Sequence, residues 1–257
     1  MPHHNLPLSA PALASRRRPL AGEDEIYAKS RRALLVEEIH LRRQIAQIAE
    51  LRRALPAGPL VDDHIFRKAD HGYSSLSRLF GDSDTLILYA CDFGSLGPAP
   101  LCYHFLAGLQ GNLDALRAHA QFALVSCAPA ADVANFAEHH QWQAMQIVQI
   151  QDDHFISRLN LRGEDGNFCP SVMIFKRCGP DIRLFWKNEI GANMADDADT
   201  PSEMFDMSSL WMMLDLTPSG RIPQRQPVRD YFTLPTDQNP RPDAASGRWP
   251  RPVYDVG

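Results

Sequence analysis

The segment Thr85-Leu-Ile-Leu-Tyr-Ala-Cys91 limits the fold more than any other stretch of the chain. A nearly continuous apolar run of this length suits a strand covered on both faces, as in a sheet sandwiched between helices. The residues that follow alternate as such a sheet requires. Leu101–His119 reads as a helix with Phe105, Leu109, Leu113 and Leu116 on one face. Phe122–Cys127 reads as a second strand, Ala130–His140 as a helix with Val133, Phe136 and Ala137 inward, and Met145–Ile150 as a third strand. Ser171–Phe175 and Ile182–Trp186, separated by Gly179-Pro180-Asp181, carry a β-hairpin signal. A last helix holds Leu210, Trp211, Met213 and Leu214.

This order, β-α-β-α-β and then β-β-α, calls for parallel strands joined by crossovers and an antiparallel hairpin at one side. The expected fold class is α/β: a thioredoxin-like three-layer sandwich with a mixed parallel and antiparallel central sheet. Residues 58–221 form that domain. Ahead of it, residues 22–57 read as a long amphipathic helix, with Tyr27, Leu34, Leu41, Ile48 and Leu55 recurring every seven residues and Pro56 and Gly58 ending it. The neighbouring line Arg31, Glu38, Ile45 and Arg52 is mostly charged, which argues against a self-sufficient two-stranded coiled coil. Two uses of the helix stay open: packing on its own domain, or a homodimer contact. Residues 1–21 read as a disordered arm, and residues 222–257 as an irregular Pro- and Arg-rich tail with too little apolar surface to fold alone.

The balance of charge narrows the partners. A net charge of -5 leaves no basic footprint for nucleic acid. No apolar stretch approaches the roughly 20 residues that span a bilayer. Met1–Leu20 lacks the charged start and apolar core of a secretory signal. Five cysteines is an odd count, without the density of a disulfide scaffold, and fits a reducing cytoplasm.

Three segments then carry a resemblance. They are Leu51-Arg-Arg-Ala-Leu-Pro56; Ser75-Leu-Ser-Arg-Leu-Phe-Gly81 leading into Leu86–Tyr89 and Phe93-Gly94; and Leu214-Asp-Leu-Thr-Pro-Ser-Gly-Arg221. Together they resemble the bacterial thioredoxin-like proteins, a family of unknown function, labelled predicted dithiol-disulfide oxidoreductases. The resemblance spans about residues 30–221, and it implies a Cys-x-x-Cys at the start of the helix after the first strand. The matching positions read Ala99-Pro100-Leu101-Cys102, a degenerate motif that keeps only its second cysteine. The preceding loop, Gly94–Pro98, is also shorter than the family's usual one.

In a thioredoxin fold the missing cysteine is the attacking thiolate and the retained one resolves the mixed disulfide. Exchange within the motif is therefore ruled out here, and Cys102 needs a non-local partner. Cys169-Pro170 opens a strand where thioredoxin folds place a cis-proline facing the motif, which makes Cys169 the candidate partner; the alternative is a small packing residue before an ordinary proline. Asp92, at the end of the first strand, is the candidate proton acceptor or else a solvated loop acid. The catalytic set is thus Cys102, Cys169 and Asp92, with Tyr103, His104 and Pro170 as substrate-binding candidates. Cys91 and Cys127, in apolar strands, read as buried structural thiols. Asp152-Asp153-His154 reads as the cap of a short helix.

No metal ligand set or other cofactor is expected. Cys102-Tyr103-His104 could recruit a metal or haem only weakly, since residues two apart on a helix do not share a face. The resulting reading is a thioredoxin-like, oxidoreductase-like enzyme acting through a single motif cysteine on a small-molecule substrate, either a thiol or another redox-active compound. Two alternatives accompany it. One is a repurposed domain that binds a metal or small molecule, or acts in a biosynthetic pathway without thiol redox. The other is a non-catalytic interaction protein.

Overall fold

The structure is a computed structural model that describes residues 8–94, 97–98, 100–142, 145–163 and 166–188, with positions 213, 216 and 217. The last helix and the tail expected from the sequence fall almost entirely outside these residues. The chain divides into two units, Met1–Pro56 and Ala57–Gly257.

The first unit is helical. Within the arm expected to be disordered, Ala10–Ala14 form a short helix, α1, whose N-cap Ser9 accepts a hydrogen bond from the Ala12 amide at 3.3 Å. The long helix α2 spans Glu25–Arg53. Asp24 caps it by accepting from the Tyr27 amide at 2.7 Å, and the chain leaves it at Ala54, ahead of Pro56. The buried contacts of α2 come from Ile39, with Leu35 and Val36 beside it, against Ala10 and Ala14 of α1. The seven-residue line faces elsewhere: Tyr27, Leu34, Leu41 and Leu55 are 51%, 54%, 61% and 42% exposed. Among the described residues, that line makes none of the buried contacts of α2.

The second unit begins with β1 (Leu60–Val61), β2 (Ile65–Lys68), β3 (Tyr73–Ser75) and α3 (Leu76–Leu79). Next come β4 (Thr85–Ala90), β5 (Phe93–Gly94), β6 (Gly97–Pro98) and α4 (Pro100–Leu109). A 3-10 turn at Gln110–Asn112 separates α4 from α5 (Leu113–Arg117), so the single helix expected over this stretch is two. Gly111 at the break is a poor helix former. The chain continues through β7 (Gln121–Ser126), α6 (Ala130–His139), β8 (Gln146–Ile150), α7 (Asp153–Arg158), β9 (Ser171–Cys178) and β10 (Asp181–Lys187). The Asp152 side chain caps α7 by accepting from the Phe155 amide at 2.9 Å, as its sequence suggests.

Eight strands make one sheet in the order β1-β10-β9-β4-β7-β8-β2-β3. β4, β7 and β8 are parallel neighbours, and β9 and β10 add antiparallel. The hairpin turns through Gly179, at φ 64°, and Pro180. The fixed negative φ of proline excludes a type I′ turn and leaves type II′. Alternation along β4 divides its side chains between two cores. Leu86, Leu88 and Ala90 join Phe80 of the α3 segment and Phe155 and Ile156 of α7 on one face. Ile87 and Tyr89 join Leu106 of α4, Leu113 of α5 and Val133 and Phe136 of α6 on the other. Helices thus cover both faces of a mixed sheet, and the arrangement is thioredoxin-like.

Candidate active site

β4 and α4 meet at the carboxyl end of the parallel strands. Cys91 follows β4 directly, and its amide still donates to the Val125 carbonyl at 2.8 Å, so the sheet ladder holds it in place. Alternation puts its thiol on the same face as Tyr89, toward α4. Pro100 opens α4, a position that its fixed φ suits. Cys102 falls in the same first turn, where unpaired amides and the helix dipole favour a thiolate. Between these elements β5 and β6 form a small hairpin, with Phe93 opposite Pro98 and Gly94 opposite Gly97. Gly97 has φ +116°, and a Cβ there would stand 2.8 Å from Cε2 of Phe136. Only glycine lets the hairpin close against α6 without strain.

These elements bring Cys102 and Cys91 into one cluster, with both residues wholly buried and each shifting the acidity of the other. Their acidities move in opposite directions. Cys102 lies below the usual thiol range, first because of the neighbouring Cys91 side chain; Tyr89 and the Asp92 backbone act the same way. Together these outweigh burial and the repulsion of the Asp92 carboxylate. Cys91 is pushed well above the range, first by burial and then by the neighbouring Cys102. Of the two, Cys102 is the more acidic thiol. The Cys91 thiol donates to the Asp92 carbonyl oxygen at 3.5 Å.

The other candidates are distributed around this pair. The Asp92 side chain is exposed at the end of β4, and partial burial raises its pKa. It acts electrostatically on Cys91, Cys102 and Cys127 together. The Tyr103 ring packs 5.4 Å from both His140 and Trp142. His104 is half-buried, which lowers its pKa. Cys169 is half-buried on the chain leading into β9, with its Sγ 3.8 Å from the Asn167 carbonyl. It is not among the groups that act on Cys102. The bond between Cys169 and Pro170 is trans, unlike the cis-proline that the resemblance implies.

In the sequence, Cys169 reads as the partner of Cys102, and Cys91 does not. Cys91 reads as a structural thiol because it closes an apolar run, and burial alone does not separate a packed thiol from a paired one. A usable signal was present all the same. Counting in twos from Ile87 puts Cys91 on one face with Tyr89, and the next helix carries a cysteine in its first turn.

Residues 16–238 match the model of the family described as bacterial protein of unknown function, DUF899. The chain belongs to that family. The match to DUF899 takes in Cys91, Cys102 and every strand and helix from β1 to β10. No curated protein matches the chain. Among solved structures it is similar to an uncharacterized conserved protein from Geobacillus kaustophilus, with 13% identity, 66% of this chain and 87% of that one covered, and a TM-score of 0.41. A hypothetical protein from Sinorhizobium meliloti is 12% identical, covers 63% of this chain and 82% of its own, and gives 0.40. A thiol peroxidase from Chromobacterium violaceum is 9% identical, with 52% and 75% covered, also at 0.40. At these scores the likenesses carry no argument about the DUF899 chain, and its fold rests on the sheet order.

Proposed function

We propose that this protein is a thiol-dependent oxidoreductase that reduces a small disulfide, with Cys102 as the attacking thiolate and Cys91 as the resolving thiol. The observation that carries the reading is the burial of both cysteines in one cluster where the end of β4 meets the first turn of α4, with Cys102 made more acidic and Cys91 less so. A dithiol of this kind replaces the one lost from the degenerate motif, across the strand-to-helix junction rather than within a helical turn.

The reaction divides into two exchanges. The Cys102 thiolate attacks one sulfur of the substrate disulfide; the substrate S–S bond breaks, a mixed disulfide forms on Cys102, and one substrate thiolate leaves. Cys91 then loses its proton and attacks the Cys102 sulfur. This forms a disulfide between Cys91 and Cys102 and expels the second substrate thiolate. Two electrons pass from the protein dithiol to the substrate, and the Cys91 proton ends on one of the released thiolates. We assign Asp92 as the acceptor that passes that proton on, because partial burial moves its carboxyl toward the thiol range. Tyr103, His104 and Pro170 are the residues we assign to substrate contact. Both thiols are fully covered, so the reaction requires local opening around the start of α4.

The test is glutathione release from oxidised glutathione in a background where Cys127, Cys169 and Cys178 are serine. Both glutathiones should be released per disulfide consumed, Cys91→Ser should stop with one glutathione held on Cys102, and Cys102→Ser should be inert. Undiminished turnover in Cys102→Ser would remove the proposal.

A further inference from the structure

The turn between β1 and β2 and the first turn of α7 meet beside the end of β8. β2 runs antiparallel to β8, with Phe66 opposite Ile150, so the residues before β2 lie alongside those after β8. One carboxylate oxygen of Asp62 and one ring nitrogen from each of His64 and His154 come within 4.8 Å of one another there. We propose that Asp62, His64 and His154 form a binding site for a divalent first-row transition cation of the zinc type.

His64 carries the argument furthest. It is only 6% exposed, and its Nε2 has no hydrogen-bond partner among the described residues. A buried polar atom left unpaired is uncommon and calls for a reason. The ring sits 5.3 Å from that of His154 and edge-on to Phe155 at 5.0 Å, so Phe155 fixes it from one side and leaves His154 on another. The backbone holds the set as well: the His64 amide donates to the Asp62 carbonyl at 2.8 Å, a tight turn that keeps the two residues together.

The neighbouring acids are already committed. Asp63 accepts from both the amide and the hydroxyl of Ser77 at 2.7 Å, and Asp152 caps α7. The Asp62 carboxylate accepts no hydrogen bond among the described residues, and it is exposed, as is His154. Both can therefore shift toward a common centre. Tetrahedral donors about 2.1 Å from a zinc ion stand about 3.4 Å apart, so closure from 4.8 Å asks for a movement that two surface side chains can supply. Two imidazoles with one carboxylate suit zinc, copper or nickel, whereas magnesium and calcium want oxygen throughout. No cysteine belongs to the set, so the site is separate from the thiol pair. Three protein ligands leave a position open for water or a substrate oxygen.

The probe is cobalt(II), with zinc as competitor, titrated into the reduced full-length chain. Visible d–d bands without a thiolate charge-transfer band, displaced by zinc, are the expected result. Asp62→Asn and His154→Ala, both at exposed positions, should each weaken binding at least about tenfold, the loss that even an outer-shell partner causes. Circular dichroism of the two variants should match the parent. Absence of binding, affinity unchanged in both variants, or a thiolate band that disappears in cysteine variants would each overturn the proposal.

Discussion

Burial alone would keep Cys102 protonated, because a low-dielectric site disfavours the charged form. The neighbouring Cys91 and Tyr89 side chains work against that preference and lower the pKa of Cys102. The site therefore depends on an asymmetry between two neighbouring thiols rather than on a general rise in acidity. His140 shows the same physics without compensation. Its ring stacks 4.2 Å from Phe136, and burial, helped by His139, lowers its pKa to about 4. A histidine with this shift is neutral in the folded chain, while the unfolded chain takes up a proton near pH 6.5. The stability it contributes is complete above pH 6.5 and is lost as the pH falls toward 4. After allowance for partial exposure the loss is about 2 kcal/mol. Urea denaturation at pH 7 and pH 4.5 should show a smaller decline for His140→Phe than for the parent. His64, His104 and His139 are lowered in the same direction and contribute to the decline that remains. Equal slopes for parent and variant would refute the assignment.

At the scale of elements, the small hairpin of β5 and β6 sets how α4 begins. Gly97 combines a φ of +116° with a would-be Cβ 2.8 Å from the Phe136 ring, so side chain and backbone both resist substitution. Gly97→Ala should cost about 1–3 kcal/mol, read as a lowered denaturation midpoint. It should also alter the thiol pair, since the hairpin lies between Cys91 and Cys102 in sequence. A midpoint equal to the parent's would show that the hairpin adjusts freely. Elements with strong periodic signals were legible from sequence: β4, β7, α6, the β9–β10 hairpin and the length of α2. The short strands β1, β2 and β3 were not. Each is too brief to show a period, and their pairing depends on partners distant in the chain, such as Ile150 opposite Phe66. The facing of α2 also escaped, because the residues that pack, Leu35, Val36 and Ile39, do not follow the seven-residue line that is easiest to see.

For the whole molecule, the fold follows from residue types and order because burial on both faces of β4 leaves few alternatives. The site follows only in part. The strand-to-helix junction was legible from the order of elements, whereas the clustering of Cys102 with Cys91 depends on which face of β4 the residue after it takes. The central claim is that Cys102 pairs with Cys91 and not with Cys169. The most direct measurement is peptide mapping by mass spectrometry after the full-length chain is oxidised with a small disulfide and its remaining thiols are blocked. The expected product is a disulfide joining the peptides that carry Cys91 and Cys102. Recovery of both as blocked thiols, or of Cys102 joined to Cys169, would contradict the account.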